Sequence, residues 1–302
     1  MKILRKLDHL FHPAKGEVVM LHRVTGHGSK LEHNCQFEIT PEFLEEAIRS
    51  YQLKGYLFVS IDDVATMLKT KRFPSIPFVC FTLDDGYKDN LLEAAPVFRK
   101  YNVPFCIYVA ASFVTGDIAL WWYILEDIIM ENEQLSLADG RDLSCFTMAE
   151  KNRAFSILHD EILDKSTPKE YFDSLFANYT YDWRQKADQL TLGKEDLLLL
   201  AADPLCTIGA HTVNHANLSQ LSYQEKREEM AFGRTLLFSW ARQKITHFSY
   251  PYGEYDEECT SIAEQMGFSS AVIADGGRVR LNSNLMTIPR VLLTGIVSPN
   301  ED

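Results

Sequence analysis

Apolar positions along the chain follow two periods. FVCFTL (Phe78–Leu83) and VPFCIYVAA (103–111) are short continuous apolar runs, as expected of strands covered on both faces. Between them Leu91, Leu92, Ala95, Phe98 and Tyr101 recur at helical spacing. Residues 78–111 therefore predict a strand–helix–strand unit with parallel strands. The unit repeats. A strand at 17–21 (EVVML) precedes a helix at 41–51, which Thr40 can cap and Pro41 can start. A strand at 56–59 and a helix at 61–68 follow. Later, strands at Cys206–Ala210, 245–250 and 271–274 alternate with helices at 223–242 and 257–266. Repeated βα units predict an α/β barrel or an open doubly wound sheet.

Residues 116–200 break the rhythm. Helical patterns dominate there, which predicts an insertion on one scaffold rather than a separate domain. Trp121, Trp122 and Trp183 lie in it, either filling its seam or forming a wall for a sugar ring. At the N-terminus Ile3, Leu4, Leu7, Leu10 and Phe11 share one helical face, suited to packing or to weak contact with a membrane surface. No apolar run is long enough to span a membrane. The first residues do not read as a secretory signal, so the expected location is cytoplasmic.

Composition narrows the classes. The 302 residues are 46% apolar and 24% charged, which excludes a disordered or low-complexity chain. A net charge of -12 without a basic run argues against nucleic acid as a partner. The six cysteines show no CxxC pairing and read as reduced thiols, with Cys80 and Cys106 inside the core. Oligomeric state is not readable.

Three local patterns can carry chemistry. Thr82-Leu83-Asp84-Asp85-Gly86 places two carboxylates after an apolar strand, where α/β sheets bind ligands. Side by side, two like charges need a cation or a proton to compensate them; alone they could also be a turn that caps a helix. His211-Thr212-Val213-Asn214-His215 follows another strand, and a helix or tight turn puts both rings on one face. Two imidazoles and a carboxylate form a familiar divalent-metal set with open positions. Phe248-Ser249-Tyr250-Pro251-Tyr252-Gly253 reads as a strand ending in a turn, which either simply turns the chain or aims a backbone N–H into a site.

In this order, TLDDG, HTVNH and SYPYG resemble the polysaccharide deacetylase family (NodB homology, carbohydrate esterase 4), from about residue 17 to 292. The resemblance implies a distorted (β/α) barrel of about seven strands, here a single domain over 1–302 with the helical insertion. It implies Asp84 as general base and Asp85, His211 and His215 as ligands of one divalent ion. That ion is usually zinc, with Co2+, Ni2+, Mn2+ or Fe2+ as alternatives. The Tyr252 N–H would help hold the oxyanion, and Pro251, Tyr252 and Trp121 would contact substrate. The expected reaction removes N-acetyl groups from an amino sugar, oligosaccharide or polysaccharide, with an N-acetylated saccharide as substrate and acetate as product.

The chain departs from the family pattern in three places. No histidine follows residue 247, so the usual late acid histidine is missing. His22, in Val18-Val19-Met20-Leu21-His22-Arg23, resembles the opening of circularly permuted members and is expected to be the general acid; otherwise it is a surface histidine. The arginine usual in the third pattern is Ser249 here. Arg290 can supply its charge from another strand, or form a surface ion pair. The family's Asp-Trp pattern is not recognisable. An O-acetyl esterase, a non-catalytic carbohydrate-binding relative and a two-carboxylate glycosidase remain as alternatives.

Overall fold

The structure, a computed structural model, describes residues 15–165 and 167–294. The apolar face formed by Ile3, Leu4, Leu7, Leu10 and Phe11, and the membrane contact expected from it, lie outside the described residues.

The continuous apolar runs become the staves of a closed barrel: β1 (Gly16–Leu21), β2 (Phe78–Leu83), β3 (Phe105–Val109), β4 (Cys206–Ala210), β5 (His247–Ser249), β6 (Ser270–Gly276) and β7 (Ile288–Leu292). Each strand pairs in parallel with its neighbours in chain order, and β1 pairs with both β2 and β7, which closes the ring. A short strand, Leu57–Phe58, pairs with the first residues of β2, on the edge that β3 takes further along. Successive side chains alternate in direction. Val18, Cys80, Cys106, Tyr108 and Ile288 fill the barrel, whereas Val19, Phe81, Leu83, Phe105 and Ile107 pack outward beneath the helices. All six cysteines are unpaired.

Local chemistry sets the helix ends. Helix Pro41–Leu53 is capped by Thr40, whose Oγ1 accepts the Phe43 N–H at 3.2 Å. The strand expected at 103–111 is shorter, because Pro104 cannot donate and helix Ala111–Thr115 begins at its far end. The helix expected at 91–101 opens with a wide turn, Asn90–Ala94, and continues as Ala95–Tyr101, with the donor-less Pro96 just past the change.

Three features go beyond the sequence reading: β7, the hairpin Gln134–Ser136 with Asp142–Ser144, and the paired segments Arg23–Val24 and Glu38–Ile39. The helical region also divides. Helices Trp121–Glu131, Met148–Leu163 and Pro168–Leu175 share their own core around Leu125, Phe155, Leu158 and Phe172. Trp121 belongs to that core, and Trp122 and Trp183 pack against it. Helix Lys194–Ala201, by contrast, buries Leu197 and Leu200 in the barrel's cluster. It is the cover that the β3-to-β4 crossover needs, so the insertion ends short of residue 200. Among the described residues no helix is long and apolar enough to cross a membrane.

Candidate active site

Strand register brings the chemical groups to one rim. Leu21 pairs with Leu83, so His22 and Asp84 leave adjacent strands at the same level. Val109 pairs with Ala210, and His211 follows directly. Ser249 ends β5, and Arg290 lies within β7. This is the carboxyl end of the barrel, where ligands bind in such folds.

Asp85, His211 and His215 converge. Asp85 Oδ1 lies 3.4 Å from His211 Nε2 and 3.2 Å from His215 Nε2. One ligand atom from each lies within 4.8 Å of the others. His211 Nδ1 is 2.8 Å from the Ser249 carbonyl; an N–H donated there fixes the tautomer and leaves Nε2 as the ligand atom. Burial works against a charged Asp85, but the two imidazoles outweigh it and hold the carboxyl well below its usual range. Burial likewise lowers His211, yet its bond to Asp85 raises the net value. Two imidazole nitrogens and a carboxylate oxygen, with one ring anchored from behind, fit a divalent ion with open positions.

Asp84, 3% exposed, faces a different partner. Arg290 donates Nη1 to its Oδ1 at 2.7 Å and Nη2 to its Oδ2 at 2.6 Å. The arginine is itself 2% exposed, so the surface ion pair is excluded. Its Nε donates to the Ile273 carbonyl at 2.9 Å. Ser249 Oγ bridges the two, accepting from Arg290 at 3.1 Å and donating to Asp84 at 3.2 Å. Burial pushes the Asp84 carboxyl up, but the guanidinium outweighs it and the net shift is downward.

His22 faces the cavity rather than the outer surface, so the surface histidine is excluded as well. Its Nδ1 is buried with no hydrogen-bond partner among the described residues, and its ring stands edge-on to Phe37 at 5.0 Å. Burial lowers its pKa against the opposing pull of Asp85 and Asp84. Arg23, next in sequence, is held by Asp89 at 2.7 Å and Glu38 at 2.8 Å. Tyr252 packs edge-on to His215 at 4.6 Å. Pro251 is buried behind the turn; Tyr252, Gly253 and Glu254 line the cavity in its place. Trp121 lines the cavity but is only 4% exposed, whereas half-buried Trp122 lies beside His215, with ring centroids 6.3 Å apart.

The rim loops hold strained backbone. Asp85, Thr212, His215 and Tyr252 all have positive φ, of 77°, 69°, 54° and 60°. Other groups hold them there. The Asp85 carbonyl accepts the Ala110 N–H at 3.1 Å. Gly86 follows at φ 102°, and a Cβ there would meet Val109 at 3.0 Å. Glu229, unforeseen in the sequence, accepts the Val213 and Asn214 N–H groups on one oxygen, Oε2, at 2.9 Å each. No spacing rule links Glu229 to the histidines.

Comparison with known proteins agrees with this geometry. A family model described as polysaccharide deacetylase matches residues 167–271, a stretch that holds His211, His215 and Tyr252. YxkH of Bacillus subtilis (strain 168), whose name carries the same family term, is 23% identical over 279 residues, covering 92% of this chain and 71% of that one. Over residues 167–271 the chain resembles the polysaccharide deacetylase family. The fold is shared with two solved structures in particular. IcaB from Ammonifex degensii has a TM-score of 0.62 at 19% identity, and the Streptococcus pyogenes deacetylase PplD in complex with acetate has 0.59 at 17%. Each alignment covers 93% of both chains. The family match over 167–271 supports carbohydrate deacetylation in general terms.

Proposed function

We propose that the chain is a divalent-metal-dependent hydrolase that removes N-acetyl groups from an amino-sugar-containing saccharide and releases acetate. The observation that carries this is the convergence of Asp85, His211 and His215 ligand atoms within 4.8 Å, beside an Asp84 locked to Arg290. A divalent ion held by the three residues supplies Lewis acidity toward the acyl carbonyl and makes water more acidic. Asp84 stays ionised against Arg290 and keeps lone pairs free to accept a proton from the attacking water. The Tyr252 turn offers its backbone N–H to the developing oxyanion. His22, which leaves the strand next to that of Asp84 and lines the same cavity, protonates the departing nitrogen. A two-carboxylate glycosidase fits poorly. Built on Asp84 and another acid, it would need no metal and leaves the convergence of His211 and His215 on Asp85 unexplained.

The test compares bound metal and acetate release in wild type, His211→Ala and His22→Ala, purified without added metal or a histidine tag. Wild type should hold about one divalent ion, as the three-ligand site requires. His211→Ala should lose the ion, and His22→Ala should keep it while losing nearly all turnover. A wild type that binds no metal after zinc addition and dialysis overturns the proposal.

A further inference from the structure

The cavity above the triad, about 700 Å³, is far larger than an acetamido group requires and falls in the range that encloses a whole ligand. Its wall is a chain of rings. From His215 the contacts run to Trp122 at 6.3 Å between centroids, then to Trp121 at 5.4 Å and His159 at 5.1 Å. His159 lies 3.8 Å from His33, and His33 lies 6.1 Å from Phe37. Phe37 meets His22, so the line leaves the triad on one side and returns on the other. The barrel supplies only the two ends. The insertion gives Trp121, Trp122 and His159, and the segment after β1 gives His33 and Phe37.

The middle of this wall is braced. Phe155 packs against His33 at 5.3 Å and against His159 at 5.8 Å. His159 Nδ1 is set by Asp160 at 3.3 Å. Burial lowers both imidazoles, His33 to about 4, so at neutral pH they are uncharged flat rings. Such rings match the apolar C–H face of a pyranose, whose hydroxyl edge stays toward water. Among the described residues lining the cavity, Arg290 is the one lysine or arginine, and Asp84 occupies its guanidinium. Nothing there is placed to pair with a phosphate, sulfate or uronate.

We propose that His33 and His159, backed by the buried Trp121, form a second sugar subsite beside the triad, one that takes a neighbouring uncharged residue of a chain and makes the substrate a neutral oligosaccharide. The identity of the reacting group rests on the deacetylase proposal; the subsite rests on the ring geometry.

The test measures acetate release from N-acetylglucosamine and its di- and trisaccharide by the zinc-loaded enzyme. Wild type should favour the trisaccharide. His159→Ala should raise KM for it about tenfold, the scale of one ring contact, leaving kcat and the monosaccharide rate unchanged. His159→Phe, which keeps a flat ring, should restore the preference. A wild type indifferent to chain length, or a His159→Ala that slows all three substrates equally, overturns the subsite and leaves the deacetylase proposal standing. Failure of the deacetylase proposal has another signature: no saccharide yields acetate. Calorimetric binding of the trisaccharide, weakened in His159→Ala and weaker for a 6-sulfated trisaccharide, then still supports the subsite. Absence of that binding overturns it.

Discussion

Asp84 carries a charge in a place that would ordinarily neutralise it, and Arg290 is the reason. Replacing Arg290 with Met strands a buried carboxylate and should cost about 3–5 kcal/mol of stability. The sign of the pH effect follows from the downward shift. In the folded protein Asp84 titrates below its usual 3.8, so the pair's stabilisation is present above that value and lost as pH falls through the folded one. In Arg290→Met the carboxyl titrates higher, and the acid limb of the pH–rate profile should move toward neutral pH. Arg290→Lys keeps the charge without the two-pronged fit, and should move it less. Urea unfolding at pH 7 and acetate release against pH check this; an unmoved limb with wild-type stability would sink it. The residues legible in the sequence were those whose chemistry is local. Asp84, Asp85, His211 and His215 each sit within a few positions of a recognisable strand end. Arg290 was legible only as a choice between two roles, because burial decides it and burial is not written locally. Trp122, His33 and His159 reach the cavity from three segments with no common spacing.

At the scale of elements, the loop 211–215 is shaped from behind. Helix Tyr223–Ala241 presents Glu229 to the loop's N–H groups and brings Gly233 so close that a Cβ would lie 2.6 Å from the Thr212 carbonyl. Glu229→Ala should therefore weaken zinc binding about 10–100-fold, as loss of an outer support does at metal sites. Gly233→Ala should act in the same direction, because a backbone carbonyl cannot step aside. Competition with a chelator measures both, and wild-type affinity in both variants would show that the loop holds itself. The strands from β1 to β6 were readable because a stave covered on both sides is largely apolar. β7 was not, because Pro289 and Arg290 interrupt IPRVL; the arginine belongs there only once the barrel has closed around it. The short pair Gln134–Ser136 and Asp142–Ser144 was hidden by its length and polarity.

Among the described residues the insertion has an apolar core of its own, separate from those inside and around the barrel, and the cavity is lined from both sides. Phe172 is fully buried in the second core, away from the cavity wall. Phe172→Ala should cost the insertion about 3–5 kcal/mol and speed amide exchange across 121–175, while the barrel strands keep their protection and the metal remains bound. Exchange followed by mass spectrometry checks this; uniform loosening of barrel and insertion would mean a single cooperative unit. The barrel's closure has a consequence for how such sites are recognised. Inward positions on different staves address the same interior point, so the counter-charge for Asp84 comes here from the last strand while β5 adds Ser249 beside it. A closed ring makes a charge portable. Any neighbouring stave can present such a charge to Asp84, so a search keyed to the order of residues along the chain would overlook a pairing that the closed ring makes.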